Sequence, residues 1–330
     1  MSHPDPDNHA ATYRFHFTDE AKEGNTAVVY DKNIGAPRYR PSVGYGFVDR
    51  TLALPAREVH TAEIAADGKG FTIRESGFFT DPNQPKDHYN HYGMAFRIDA
   101  PPGAYHIRVL LTSDAEDAFV SVSGMRADRL TGGGYWDAAG KIPVRTCAVQ
   151  RGHEWSYLFV NGRGSIDIEI EPKRENVPVG IREITLTPIP PQARAAGSKP
   201  TIFLLGDSTV KTYTFEEAPM CGWGQVIGHL FDMRKVNVVN YSQGGRSLKS
   251  AYQEGRFNDI LMTGKAGDYV WIQFGHNDEK DDEHARFGRG STEAMYETFL
   301  DEVYIPAIRA RGMIPVLVTP LSWVRGNAEP

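Results

Sequence analysis

Three short polar segments hold the residue types that acyl chemistry needs. They are Gly206-Asp207-Ser208-Thr209, Asn240-Tyr241-Ser242-Gln243-Gly244-Gly245-Arg246-Ser247, and Gly275-His276-Asn277-Asp278. Ser208 offers a hydroxyl nucleophile, which requires a base, normally a histidine held by a carboxylate. His276, Asp278, Asp281, Asp282 and His284 are the nearby candidates. Attack on a carbonyl builds negative charge on its oxygen, and each fixed donor aimed at that oxygen contributes about 3 kcal/mol to the transition state. The backbone N–H of Ser208, the backbone N–H of Gly245 and the side-chain amide of Asn277 are the donors on offer, and a glycine at 245 lets the backbone approach a ligand closely. Taken alone, Gly206–Thr209 serves as well for a plain strand-to-loop turn.

Neighbouring residues have ordinary readings beside functional ones. Asp207 anchors the turn by accepting nearby N–H groups, or acts directly. Arg246 and Lys249 touch an acidic sugar or serve the structure. His276 supports the site through hydrogen bonds or meets substrate, as does Asp278. The run from Asp278 to His284 reads as an acidic surface loop rather than a metal site, because carboxylate sites need convergent geometry. Trp223 reads as core at a helix start, or else as a wall of the site, and Cys221 as structural.

Positioning these segments requires a particular framework. Apolar strands are expected at 201–205, 236–240, 269–274 and 314–319, with helices over 222–232, 247–263 and 291–311. Strands alternating with helices imply a mostly parallel sheet covered on both faces. The three polar segments follow the first three of those strands. In a parallel sheet such ends share one rim, where open α/β sheets place their ligands.

The preceding text differs. Residues 1–10 are polar and read as a disordered tail. From 11 to 189 short strand-like runs are separated by turn signals such as Ala-Pro-Pro-Gly (100–103) and Gly132-Gly133-Gly134. The strict alternation of Ser165-Ile166-Asp167-Ile168-Glu169-Ile170 predicts a strand with one wet face. An antiparallel β-sandwich follows, of jelly-roll or galactose-binding-like type. Tyr39, Tyr45, Phe78, Phe79, Tyr89 and Tyr92 lie in loop-rich text and either cap its core or stack on sugar rings. The polar stretch 81–91 offers oxygen ligands for calcium but no specific ligand spacing. Proline, glycine and small residues mark 190–200 as a linker.

The chain has 330 residues, 40% hydrophobic and 24% charged, so two globular domains are expected. A net charge of -6 with no basic stripe argues against a nucleic-acid partner. No apolar run of about 18 residues suggests a membrane span. No charged n-region and apolar h-region open the chain, so a cytoplasmic location is expected, or a secreted one if a leader has been removed. Two cysteines, Cys147 and Cys221, do not suggest a disulfide framework. Oligomeric state is not legible.

Together the segments at 206–209, 240–247 and 275–278 resemble the first three conserved blocks of the SGNH/GDSL hydrolases. Gly-Trp-Gly-Gln (222–225), Gly-Arg-Ser-Leu-Lys-Ser (245–250) and Ile-Gln-Phe-Gly-His-Asn-Asp (272–278) resemble the rhamnogalacturonan acetylesterase branch. The resemblance covers about 201–320. It implies a three-layer α/β hydrolase domain over 201–330 behind an antiparallel β-sandwich. It also implies Ser208 as nucleophile, with Ser208, Gly245 and Asn277 as the oxyanion site. The implied substrate is an acetylated oligosaccharide or polysaccharide derived from pectin, and no metal or organic cofactor is implied. The family's base comes from an Asp-x-x-His block after a fifth strand. This sequence stops at Pro330, so the domain is expected to be incomplete at its C-terminus, unless His276 or His284 replaces that base. Two other functions stay open: a lipase- or thioesterase-like ester hydrolase, and a non-catalytic carbohydrate-binding protein.

Overall fold

The computed structural model describes residues 12–18, 26–29, 37–48, 64–66, 70–73, 77–80, 89–92, 94–123, 148–172, 177–279 and 290–321. The tail 1–10, the stretch 81–88, Gly132-Gly133-Gly134, Cys147, Asp281, Asp282 and His284 lie outside the described residues. The architecture is mixed α/β with several sheets. The chain divides into two compact units, Met1–Ile189 and Pro190–Pro330.

The first unit contains, in chain order, β1 (Tyr13–Thr18), β2 (Thr26–Val29), β3 (Tyr45–Phe47), β4 (Ile64–Ala66), β5 (Phe71–Ile73), β6 (Gly77–Thr80) and β7 (Tyr89–Tyr92). It continues with β8 (Met94–Asp99), β9 (Gly103–Leu111), β10 (Ala118–Val122), β11 (Ala148–Val149), β12 (Glu154–Asn161), β13 (Ser165–Pro172) and β14 (Val179–Ile189). One sheet runs β12-β9-β14-β1-β2, with β5 also on β14 and β4 on β5. A second runs β11-β10-β13-β8-β3, and β6 pairs with β7. Pairing is antiparallel except between β1 and β2. The two sheets meet through aromatic side chains. Phe15 and Phe17 of β1 lie 5.5 and 5.0 Å from Phe96 of β8, and Phe17 lies 5.8 Å from Phe47 of β3. Tyr45 packs on Phe15 at 5.1 Å, which is the core-capping reading. Tyr39 donates to Asp99 beneath the Arg97 guanidinium. Of the other aromatics in that set, the side chains lie outside the described residues.

β13 departs from expectation. Its alternation holds, with Ile166, Ile168 and Ile170 in the core, yet Asp167, Glu169 and Glu171 are only 6%, 2% and 5% exposed. The second face is therefore not wet. Two of its carboxylates have partners across the sheet. Asp167 takes a bidentate pair of bonds from Arg97 on β8, at 2.7 and 2.9 Å, and Glu169 accepts from Ser121 on β10 at 2.7 Å. Burial of a carboxylate is tolerable only with such partners.

The second unit contains β15 (Thr201–Gly206), β16 (Asn237–Asn240), β17 (Tyr269–Gln273) and β18 (Ile314–Leu317). All pairings are parallel, in the order β16-β15-β17-β18. β15 is buried on both faces. Ile202 and Leu204 pack with Val210, Ile227, Trp223 and Trp271, while Phe203 and Leu205 are buried on the opposite side. Helical segments follow the strands, but none of the three expected helices is continuous: 222–232 forms an α-turn at Trp223–Val226 and a 3-10 segment at Ile227–Leu230. The stretch 247–263 forms Leu248–Gln253 and Arg256–Thr263, separated at Gly255, whose φ of +76° turns the chain. The stretch 291–311 forms Glu293–Phe299, a π-helical turn at Leu300–Tyr304, and Ile305–Ala310.

Residues 190–200, expected as a linker, are fastened to this unit. Gln192 O accepts from Ala266 N, and the Arg194 guanidinium donates to Ala266 O and pairs with Asp268. Asp268 is buried and also accepts from the backbone N–H groups of Thr201 and Lys265.

Candidate active site

Because β15 lies between β16 and β17, the three polar segments leave the sheet side by side. Register fixes their heights: Gly206 pairs with Gln273, and Leu204 pairs with Asn240. β15 ends at Gly206 because nothing larger fits there. A Cβ would lie 2.5 Å from Val210 Cγ2 and 2.6 Å from the Gln273 carbonyl oxygen.

The turn that presents Ser208 is built around Asp207. This buried carboxylate accepts from the Thr209 N–H and hydroxyl, both at 2.8 Å, and the Asp207 carbonyl accepts from Val210 and Lys211. These bonds are those of an Asx-type turn. Behind it, Gln273 Nε2 donates to Thr209 Oγ1 at 3.0 Å, and Trp223 Nε1 donates to Gln273 Oε1 at 2.6 Å. On the near side, the Tyr213 hydroxyl donates to the Ser208 carbonyl at 3.0 Å. Lys211 pairs with Glu217 and lies 4.5 Å above the Tyr213 ring. Burial pushes the Tyr213 phenol above its ordinary range, so it stays a donor.

The second segment is hung on the first. Tyr241 N donates to Leu204 O at 2.8 Å, and Gln243 N donates to Gly206 O at 3.0 Å. Asn240 ties the same pair of segments through Val210 O and the Thr212 hydroxyl. Gly244 lies against Ser208, since a Cβ there would be 3.8 Å from Ser208 Cβ. Gly245 has φ +77°, a conformation that costs a side-chain-bearing residue energy. Arg246 is buried. Its guanidinium bonds to the carboxylate of Glu254 and to the Gly244 carbonyl, so it supports the loop instead of reaching outward.

The third segment closes on the second. Asn277 Nδ2 donates to Arg246 O at 2.9 Å. Asp278 is buried, accepts from Leu248 N at 2.9 Å and gives its carbonyl to Ser291 N. It thereby fastens the third segment to the start of the helix Leu248–Gln253, which Ser247 caps by accepting from Ser250 N. Lys249 is buried as well, and that burial brings its amine down to about 8 against an opposing pull from Asp278. Neither Lys249 nor Arg246 is placed for open contact with a substrate.

His276 Nε2 lies 2.6 Å from the carbonyl oxygen of Leu321, in the segment that follows β18. Cys221 is exposed, with its thiol 3.5 Å from the Gly222 carbonyl. Among the described residues no cluster of histidine, cysteine and carboxylate side chains has the arrangement to hold a metal. Ser208, Gly245, Asn277, Asp207, Arg246 and Asp278 thus lie on the three segments at one rim, and His276 lies on the third of them with its ring bonded to Leu321. Tyr213 and Glu254 carry no signal in the sequence, and Gln273 enters there only as part of the 272–278 motif, without a role. A tyrosine or glutamine near a strand end has no signature, and Glu254 gains meaning only through Arg246.

No protein-family model matches the chain. In sequence it is 43% identical over 119 residues to rhamnogalacturonan acetylesterase RhgT of Bacillus subtilis, covering 36% of this chain and 47% of that protein. It is 38% identical over 122 residues to the probable rhamnogalacturonan acetylesterase YesY of the same organism, covering 37% and 54%. The chain spans about half the length of these two curated relatives. The crystal structure of YxiM from Bacillus subtilis aligns over 94% of this chain and 75% of its own, with 20% identity and a TM-score of 0.33. The chain is similar, at a distance, to esterases of the carbohydrate-active kind.

Proposed function

We propose that the second unit carries the nucleophile and oxyanion site of a serine ester hydrolase that removes acetyl groups from pectin-derived saccharides, rhamnogalacturonan above all. The observation that carries this reading is the meeting of Ser208, Gly244–Gly245 and Asn277 at adjacent strand ends. The sequence similarity to curated acetylesterases supports the substrate class. In this scheme Ser208 Oγ attacks the acetyl carbonyl. The oxygen, now negative, accepts from the N–H groups of Ser208 and Gly245 and from the second Nδ2 hydrogen of Asn277, its first being given to Arg246 O. A general base takes the Ser208 hydroxyl proton and hands it to the departing sugar oxygen; the same base then takes a proton from water, which releases acetate and restores Ser208. Asp207 and Tyr213 hold the backbone of the turn on either side of the attacking residue. His276, with Nε2 2.6 Å from the Leu321 carbonyl oxygen, is the less favoured candidate for that base.

Acetate release from acetylated rhamnogalacturonan fragments tests the reading. Ser208→Ala is expected to reduce turnover to background, and full turnover by that variant would sink the assignment. Faster release from long-chain acyl esters would move the substrate to the lipase-like class. Glycan binding without any turnover would favour the carbohydrate-binding reading.

A further inference from the structure

Beneath the second segment lies a group of charges that neither the nucleophile nor its donors include. Arg246 Nε bonds to both oxygens of Glu254, at 2.9 and 3.1 Å, and each side chain is only 5% exposed. Arg256 Nε closes on Glu254 Oε2 at 2.7 Å. The other end of the Arg246 guanidinium donates through Nη1 to the Gly244 carbonyl at 3.0 Å. A continuous line therefore runs from Arg256 through Glu254 and Arg246 to the peptide that joins Gly244 to Gly245.

We infer that Glu254 is a positioning residue for the oxyanion loop, holding Gly244–Arg246 in place through the Arg246 guanidinium. The kinetic consequence rests on the ester-hydrolase reading; the structural one does not. Two consecutive glycines lose more conformational freedom than any other pair when fixed, so this segment needs external restraint. The restraints include Gln243 N on Gly206 O, Asn277 Nδ2 on Arg246 O, Arg246 Nη1 on Gly244 O and, across the two glycines, Arg246 N on Gln243 O at 3.4 Å. The third depends on a guanidinium staying inside the protein, which is unfavourable without a counter-charge. Glu254 supplies that charge and engages both oxygens, while Arg256 keeps the carboxylate from turning away. The chain is shaped to allow this. The helix Leu248–Gln253 stops at Glu254, and Gly255 with φ +76° starts the next one, so the carboxylate faces back toward the loop. An ion pair serving stability alone could be replaced by apolar packing; this one ends on the carbonyl that precedes the proposed donor Gly245.

The test measures amide hydrogen exchange in the 330-residue chain at Gly244, Gly245 and Arg246, with Phe203–Leu205 as an internal reference for global stability. Glu254→Ala is expected to raise loop exchange by about tenfold or more while the strand amides stay unchanged, as for a local opening. Glu254→Gln, which keeps one acceptor oxygen, should raise it by about threefold. On an acetate ester, Glu254→Ala should lower kcat by about 10- to 100-fold, less than outright loss of a donor, with KM moved by less than about threefold. If Glu254→Ala does not fold, the glutamine variant decides by the same exchange measurement. Unchanged loop exchange in a folded variant, or an equal rise in loop and strand, overturns the inference. Absence of turnover in the native chain would count against the ester-hydrolase reading, while exchange alone would still decide the role of Glu254.

Discussion

Gly245 and Lys249 are where single side chains can be put to the question. At φ +77°, Gly245→Ala adds a Cβ to a left-handed backbone, at a cost of about 1–2 kcal/mol. We expect a melting temperature lower by a few degrees and a kcat lower by about 10- to 1000-fold, the upper end being the loss of one oxyanion donor. Equal kcat in native and variant proteins would remove Gly245 from the scheme. Lys249 makes a prediction about pH. Its amine is at about 8 in the folded chain against an ordinary 10.5, so between those values the unfolded chain binds the extra proton. Stability contributed at this position therefore rises as pH climbs from about 8 to 10.5. The penalty for burying the charged amine is fully present below that window. Native protein should gain on Lys249→Met across it, by at most about 3 kcal/mol, since one pKa unit is worth about 1.4 kcal/mol. Denaturant unfolding of both proteins at pH 7 and pH 10 checks the sign: native stability minus variant stability should be higher at pH 10, and a difference that stays level or falls would contradict it.

The elements were legible where local chemistry settles them. Four apolar runs punctuated by Gly, Asn and Ser became four parallel strands, and their polar ends became adjacent loops because a parallel sheet leaves no other place for them. Asp207 is anchored by its own neighbours, so sequence alone could suggest its turn. What escaped is long-range. The polar face of β13 looked wet because nothing in Ser165–Ile170 announces Arg97 or Ser121 on other strands. The stretch 247–263 was legible as helical, but not its break at Gly255, whose turn brings Glu254 back to Arg246. The segment 190–200 looked free because Arg194 meets Asp268 only after the chain has travelled far. Arg194→Ala should expose that segment to limited proteolysis, with cleavage at least several times faster, while thermal unfolding shifts by only a few degrees. Unchanged cleavage would mean that Gln192 and the backbone hold it unaided.

For the molecule as a whole, the alkaline limit should be set by buried phenols. Tyr105 in the first unit, and Tyr296 and Tyr304 in the second, have their ionisation pushed above the ordinary value, chiefly by burial. Each folded phenol keeps its proton where the unfolded chain would lose it near pH 10. The associated stability is whole below that pH and is lost as pH rises further. Both units are expected to unfold in that range, with the last part of the tyrosinate absorbance appearing together with loss of structure. Complete ionisation of all 15 tyrosines well before unfolding would show that these rings are open to solvent.

The fastening at Asp268 carries a mechanical meaning. One carboxylate grips Arg194, the Lys265 amide and the Thr201 amide, and Thr201 begins the strand that ends beside Ser208. Tension applied at residues 190–199 is thus delivered to the root of β15 as shear against β16 and β17, the direction in which parallel ladders share load among all their bonds. Ser208 stands just past the far tip of a strand braced by a neighbour on each side.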